Sequence, residues 1–290
     1  MDRYRHAGLW LSLHRLMRRI RHASGFRILM LHDVPDHQME ALAGLVDYVA
    51  HEHGVLSPDD AAAWMYGQPF TPPAGKLGRP PVLFSFDDGF ASNVRVAHEI
   101  LEPAGIRALF FVCPGLIELE PAAQREAIAE NIFDGRVSAA DMDAELRLMT
   151  WDEVAALSAA GHVIGAHSMT HRRLTTLSGD DLRTEIFDSG VKLEGRLDVP
   201  VGWFAYPFGD IGSIDKHAMS VIAQRYPFCR SGVRGANRMG TLPLGLLADH
   251  IDLDAPMAYQ RLVLEGGLDL RYIAKRWRLN SAVMTGRPPS

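Results

Sequence analysis

Two adjacent carboxylates, Asp87 and Asp88, close the apolar run Val82-Leu83-Phe84-Ser85-Phe86 and are followed at once by Gly89. A short run of β-favouring residues ended by glycine is the pattern of a parallel strand covered on both faces. Two acids at such a strand end repel each other and resist desolvation unless positive charge sits beside them. A helix cap accounts for one of them, because Asp caps well and favours the start of the helix expected from about Ser92. The pair is better explained by a bound cation. Downstream, His162-Val163-Ile164-Gly165-Ala166-His167-Ser168-Met169-Thr170-His171 repeats the form, an apolar strand running into imidazoles four residues apart. His167 and His171 can face one way across a turn, and imidazole is a common ligand for zinc and similar metals. That spacing alone is a weak signal, since histidine is frequent at surfaces and caps; beside a strand-terminal Asp-Asp it gains weight. Two His and one Asp, with positions left to water, make a catalytic rather than a closed structural arrangement.

Several elements must position these groups. Phe26–Val34 reads as a first strand that also ends in a polar pair, His32-Asp33. Further strands are expected at Ala108–Val112, Trp203–Tyr206 and Pro227–Arg230, and helices at Met39–Val49, Pro58–Met65, Ser92–Leu101, Ser178–Leu197 and Asp215–Arg225. Thr150-Trp151-Asp152-Glu153 is a capping box opening a helix that ends at Gly161. The Pro/Gly-rich stretch Gly67–Pro81 reads as a loop, Pro121–Leu148 as a helical insertion at the barrel mouth or side, and the tail from Pro256 as one or two helices. Short strands alternating with helices, polar at the strand C-terminal ends, describe an α/β barrel whose active site lies at that face.

With these motifs in place the chain resembles the polysaccharide deacetylases, the NodB-homology group of carbohydrate esterase family 4, over roughly Gly25 to Leu253. Phe84-Ser85-Phe86-Asp87-Asp88-Gly89 is similar to the family's TFDDG motif, and His167-Ser168-Met169-Thr170-His171 to its H-[ST]-x-x-H motif. Phe204-Ala205-Tyr206-Pro207-Phe208-Gly209 resembles R-x-P-Y, with Ala205 where many members carry Arg. Leu29-Met30-Leu31-His32-Asp33 resembles the L-x-L-H-[DS] motif, here first in the chain, as in a circular permutation found among exopolysaccharide deacetylases. His250, in Leu246–Asp252, stands where the unpermuted order would put that histidine and is the competing candidate.

The resemblance implies a distorted (β/α)7-type barrel, expected here as one domain over residues 25–290 behind an amphipathic helix over 1–24. It implies metal-dependent removal of N-acetyl groups from an amino-sugar glycan or its lipid-linked or nucleotide-linked precursor. By carry-over, Asp88, His167 and His171 hold a divalent ion, zinc first, with cobalt, nickel or iron suiting the same donors. Asp87 is the general base, His32 the general acid, and the Phe208 N–H an oxyanion donor. Ala205 leaves the base without the family's arginine; Arg230, on the next expected strand, is a candidate replacement, a surface arginine being the plain alternative. Trp151, Trp203 and Tyr206 are candidates for stacking on sugar. Two other functions stay open: deformylation of a lipid-linked amino sugar, and carbohydrate binding without catalysis, which would have no use for Asp87 and His32.

Composition narrows the partners. The 290 residues, 47% hydrophobic and 22% charged, suit a soluble globular protein, and a net charge of −5 gives no reason to expect nucleic acid. The two cysteines, Cys113 and Cys229, form no metal spacing and read as buried residues from a reducing compartment. Arg3, Arg5, Arg15, Arg18, Arg19 and Arg21 interleave with Leu9, Trp10, Leu11, Leu13, Leu16 and Met17, a basic amphipathic helix and not a signal peptide. It suits a peripheral contact with an anionic membrane or docking on a partner, packing against its own domain with a solvated basic face being the plain alternative. A cytoplasmic location is expected, with no membrane-spanning run.

Overall fold

The computed structural model describes residue 4 and residues 6–18, 25–68 and 79–286. Seven short strands form one sheet: β1 (Arg27–Leu31), β2 (Val82–Phe86), β3 (Leu109–Val112), β4 (Val163–Ala166), β5 (Trp203–Ala205), β6 (Phe228–Arg230) and β7 (Asp249–His250). All pairs are parallel, in the order β6-β5-β4-β3-β2-β1-β7. A parallel bridge between Arg230 and Leu246 lays the segment before β7 beside β6. There the Ser231 N–H donates to the Leu246 carbonyl at 2.8 Å and the Leu246 N–H to that of Cys229 at 2.9 Å. The sheet therefore curls until its two edges meet, which removes the exposed edge that a flat sheet would leave. The first strand of the chain sits between β2 and the last one.

The period-two alternation of each strand divides the core in two. Ile28, Met30, Leu83, Leu109, Phe111, Trp203, Ala205 and Phe228 form one buried cluster, the barrel interior. Their alternates, among them Leu29, Phe84, Phe86, Phe110, Ile164 and Phe204, pack outward against the helices. The helix Pro58–Met65, capped by the Ser57 side chain at the Asp60 N–H, plugs the strand N-terminal end with Ala61, Ala62 and Trp64. Gly165 of β4 is required by this packing. A Cβ there would lie 2.5 Å from the Phe111 ring, so the absent side chain is what lets that ring fill the interior.

Between β3 and β4 the chain departs from the expected long helix over 121–148. The helix Pro121–Ala127 runs through a π-helical turn, Ile128–Ile132, and stops where Asp134 and Gly135 take left-handed conformations (φ 56° and 67°). Beyond it the Arg125 guanidinium gathers the carbonyls of Ala139 and Asp143, both at 2.8 Å, in place of helical hydrogen bonds. The capping box at Thr150 and Glu153 is formed, and both cysteines are buried.

The N-terminal helix spans Ala7–Arg18 and buries Ala7 and Leu11. Tyr4 fastens it, with its hydroxyl 2.5 Å from the Asp252 carboxylate and its ring 4.7 Å from that of Tyr259. Leu9, Trp10 and Leu13 remain exposed. Of the expected basic segment, Arg3, Arg5, Arg19, Arg21 and the side chains of Arg15 and Arg18 lie outside the described residues. No helix among the described residues is long and apolar enough to cross a membrane.

The packing at Gly165 yields a direct expectation. Gly165→Ala drives a methyl into Phe111 and lowers stability by roughly 1–3 kcal/mol, the usual cost of overpacking a core. Urea unfolding reads this as a lower midpoint at unchanged slope; an unshifted midpoint would show the interior to be looser than described.

Candidate active site

Every expected ligand sits just past a strand end, at one mouth of the barrel. Asp87 and Asp88 follow β2, and the change in backbone between them sends their carboxylates different ways. Asp87 continues the strand, its N–H donating to the Leu31 carbonyl at 2.9 Å. Asp88 turns into the left-handed region, at φ 69°. Six non-glycine described residues have such a conformation, and Asp88, Ser168, His171 and Phe208 are four of them. Backbone of this kind is held only where surrounding contacts over-determine it, and it gathers at functional sites.

The turn at Asp88 carries its Oδ1 to 3.3 Å from His167 Nε2 and 3.2 Å from His171 Nε2, with all three residues buried. The other nitrogen of each ring is engaged: Nδ1 of His167 meets the Ala205 carbonyl at 2.7 Å, and Nδ1 of His171 the Asn131 carbonyl at 2.8 Å. A carbonyl only accepts, so each Nδ1 carries the hydrogen, and both Nε2 lone pairs are aimed at Asp88. Asp88 Oδ1 is correspondingly a buried oxygen with no hydrogen-bond partner among the described residues. Burial alone would raise its pKa, but contact with His167 and His171 holds it well below the ordinary carboxylate range. Burial disfavours the charged form of His171, yet Asp88 and the Asn131 carbonyl outweigh it and raise that pKa. Three convergent donors that draw in positive charge fit a divalent cation, and one carboxylate with two imidazoles suits zinc, cobalt, nickel or iron.

Around these ligands stands a layer without a sequence signature. Asn131, in the π-helical turn of the insertion, accepts from His171 and also donates its side-chain amide to the Thr170 carbonyl at 2.8 Å. Glu185, buried in a second π-helical turn (Thr184–Asp188), accepts the Thr170 N–H at 2.9 Å and the Thr170 hydroxyl. Ser168 Oγ accepts the His171 N–H at 3.0 Å. The loop between the two histidines is thus pinned at each residue that could swing a ring away.

Asp87 points to a different cation. Arg230 Nη2 lies 2.5 Å from Asp87 Oδ1 and also contacts Oδ2, with both side chains buried. Arg230 and Ala205 are register partners on β6 and β5, so the guanidinium enters from the strand beside the alanine, at the same height. Its carbon lies 5.0 Å from the centre of the Phe111 ring. His32 approaches the other side of Asp87, with Nε2 4.0 Å from Oδ2 and a side chain 38% exposed. Its loop is stitched to the chain just after Asp88: Asn93 Nδ2 donates to the His32 carbonyl at 2.8 Å, and Ser92 Oγ to Asp33 Oδ1 at 2.6 Å. His250 lies behind His32, ring centres 5.4 Å apart. The surrounding protein, with added positive charge from His32 and Arg234, pushes the His250 pKa down to about 4 although its outer edge meets solvent.

Phe208 crosses the mouth with a left-handed backbone (φ 65°) and its ring centre 4.8 Å from that of His171. Arg173 covers the ring, its guanidinium carbon 4.1 Å from the centre, and donates to Ser213 Oγ at 2.5 Å. Two expected sugar platforms are corrected. Tyr206 is fully buried, and its hydroxyl donates to the Gly209 carbonyl at 3.0 Å, so it braces the Phe208 loop instead of meeting a ligand. Trp203 stacks on Phe228 inside the barrel, centres 4.5 Å apart, because residue alternation points it inward at the closed end. Trp151 lies under Arg196, whose guanidinium is 5.1 Å from its ring.

The site and fold have counterparts among known proteins. In solved structures, the chain superposes on the deacetylase PplD of Streptococcus pyogenes with a TM-score of 0.59 and 19% identity, over 82% of this chain and 96% of that one. IcaB from Ammonifex degensii gives 0.58 and 18%, over 84% and 98%. The BpsB deacetylase domain from Bordetella bronchiseptica gives 0.59 and 15%, over 78% and 96%. These likenesses establish the fold. No curated protein matches the sequence. The sequence profile of the family described as polysaccharide deacetylase matches residues 74–224, from before β2 to the end of the helix after β5. With more than half of its length matched in this way, the chain belongs to the polysaccharide deacetylase family.

Proposed function

We propose that this deacetylase removes N-acetyl groups from an amino-sugar-containing glycan, or from its lipid-linked or nucleotide-linked precursor, by metal-dependent hydrolysis of the amide. One observation carries the reading: adjacent carboxylates part at Asp88, one to a pair of imidazoles and the other to a buried guanidinium. Asp88, His167 and His171 hold the metal, zinc being the first candidate and cobalt, nickel or iron suiting the same donors. Bound there, the ion supplies Lewis acidity, polarising the acetamide carbonyl and making water acidic enough to attack it near neutral pH.

The remaining work falls to the chain itself. Asp87, ionised beside Arg230, takes a proton from the attacking water as its oxygen bonds to the carbonyl carbon. The Phe208 N–H donates to the oxyanion that results; a backbone donor makes phenylalanine as good here as tyrosine. His32 delivers a proton to the nitrogen as the carbon–nitrogen bond breaks, releasing acetate and the free amine. His32 suits this role better than His250, being the nearer to Asp87. Arg230 takes over from the family's arginine at Ala205, reaching the same carboxylate from the next strand. We also infer that the exposed Leu9, Trp10 and Leu13 of the N-terminal helix give a peripheral membrane contact on the cytoplasmic side, where a lipid-linked substrate would be met.

Three outcomes test these assignments. Asp87→Asn keeps its metal by elemental analysis but loses roughly 10²–10⁴-fold in acetate release, the usual share of a general base, whereas His167→Ala loses both. Equal metal loss in the two would overturn the division of roles, and formate release in place of acetate would move the reading to a deformylase. Arg230→Met strands a buried carboxylate and costs about 3–5 kcal/mol in urea unfolding; adding Asp87→Asn recovers most of it, and simple additivity of the two changes would deny the pairing. Arg230→Ala loses activity that Arg230→Ala with Ala205→Arg regains in part. No recovery would mean that the two strand positions are not equivalent.

A further inference from the structure

One arginine joins the loop that follows His171 to the loop that carries Phe208. Arg173 stands two positions after His171, at the entry to the turn Leu174–Thr176. Its guanidinium carbon is 4.1 Å from the centre of the Phe208 ring, and its Nη1 donates to the buried Ser213 Oγ at 2.5 Å. Asp210 Oδ2 lies 3.6 Å from Nη1, and Asp134 Oδ2, in the insertion after β3, lies 3.7 Å from Nη2. Beside it the Thr175 hydroxyl donates to the Gly212 carbonyl at 2.9 Å. The segment 173–175 therefore grips the loop 208–213 along its length.

The barrel side of that loop is fixed at the next residue. Gly209 is left-handed (φ 64°), and a Cβ there would lie 2.6 Å from the Gly232 N. Its carbonyl accepts the Gly232 N–H at 2.9 Å and the Tyr206 hydroxyl at 3.0 Å. Phe208 itself holds a left-handed backbone (φ 65°) that a residue with a side chain does not adopt by preference. It has no hydroxyl with which to anchor itself. Its ring is held by the His171 ring, centres 4.8 Å apart, and by Arg173. The Phe208 N–H donates to no acceptor among the described residues, which keeps it for a ligand.

We propose that Arg173 is the positioning residue of the oxyanion donor, clamping the Phe208 ring so that the backbone N–H is aimed before substrate arrives. The inference rests on the amide hydrolysis proposed above. A donor directed at developing charge works because it needs no reorganisation during the reaction. A misplacement of about 1 Å in such a group costs on the order of 100-fold in rate. The two ion pairs of Arg173 involve partly exposed groups and add little by themselves. The cation over the ring and the bond to buried Ser213 set where the ring rests. Direct recognition of an anionic substrate group suits this arginine less. Its Nη atoms already face Ser213, Asp210 and Asp134, and the two carboxylates offset its charge.

Kinetics and amide exchange on the full chain test the clamp. With an N-acetylated amino-sugar oligomer, Arg173→Met is expected to lower kcat for acetate release roughly 10–100-fold at unchanged KM and metal content. Arg173→Lys, which keeps a cation over the ring, should recover part of the loss. Phe208→Ala removes the ring but keeps the N–H, so in that background Arg173→Met should cost little more. Arg172→Gln removes the neighbouring exposed cation, paired with Asp181 at 3.7 Å, and should leave kcat as it is. Hydrogen–deuterium exchange without substrate should be faster over residues 207–214 in Arg173→Met, with the strands unchanged and the fold thereby shown intact. A raised KM at constant kcat would make Arg173 a substrate contact, and an equal loss in Arg172→Gln would make the effect one of charge alone; either overturns the proposal. So does unchanged exchange over 207–214, or full additivity with Phe208→Ala. A wild type that releases no acetate refutes the proposed reaction instead, and exchange alone then decides the clamp.

Discussion

Two negative charges cannot occupy neighbouring buried positions unless each is answered separately, and that constraint organises this barrel mouth. Asp87 and Asp88 are both almost fully buried. The left-handed turn at Asp88 separates them: the first meets the Arg230 guanidinium, and the second converges with two imidazole nitrogens on a place that fits a cation. A low-dielectric interior makes an unpaired carboxylate costly and a paired one strongly oriented. The same arrangement therefore stabilises the fold locally and fixes the directions in which the two acids can act.

Orientation also depends on groups that never reach the centre. Backbone carbonyls of Ala205 and Asn131 choose the tautomers of the two histidines, and Glu185 and Ser168 hold the loop that carries them. Asn131 and Glu185 both lie in π-helical turns, where the wider winding shifts the helix face by a residue. Such turns recur at functional sites because they re-aim one side chain or carbonyl without ending the helix. The insertion after β3 is thus part of the site, although it contributes a carbonyl and not a side chain to the ligand rings.

Much of this architecture is legible in the chain because strands buried on both faces announce themselves as apolar runs, and polar residues at their ends stand out. Six of the seven strands, the capping box at Thr150 and the convergence of Asp88, His167 and His171 follow from that contrast, whereas the two-residue β7 has no apolar run to announce it. What escaped is information that only pairing creates. Arg230 could be named from the sequence only as a candidate beside a plain surface arginine, because it becomes the neighbour of Ala205 through the β5–β6 register, and no local pattern encodes which residues of two strands stand level. Carbonyl acceptors have no side-chain identity at all. Tyr206 and Trp203 mislead for a related reason: aromatic residues near a motif look like ligand platforms, but strand alternation and loop bracing had already turned them inward. The helix expected over 121–148 stops at Asp134 and Gly135, and Arg125, nine residues before Asp134, collects carbonyls of the segment that follows.

The position of β1 between β2 and β7 has a consequence for how the protein reaches this state. Contacts between His32 and Asp87 arise from two strands that pair in register by Phe86, so that half of the mouth can assemble from the first third of the chain. The distant closure is shifted to the seam with β7, where Leu29, paired on one side with Phe84, pairs on the other with Asp249. Lengthening a loop fourfold costs about 1.2 kcal/mol in closure entropy, at about 0.6 for each doubling. That penalty, and the slow search that accompanies non-local pairing, falls on a two-residue strand at the barrel's edge. A chain ordered with its histidine strand last would instead have to complete its longest search at the site itself.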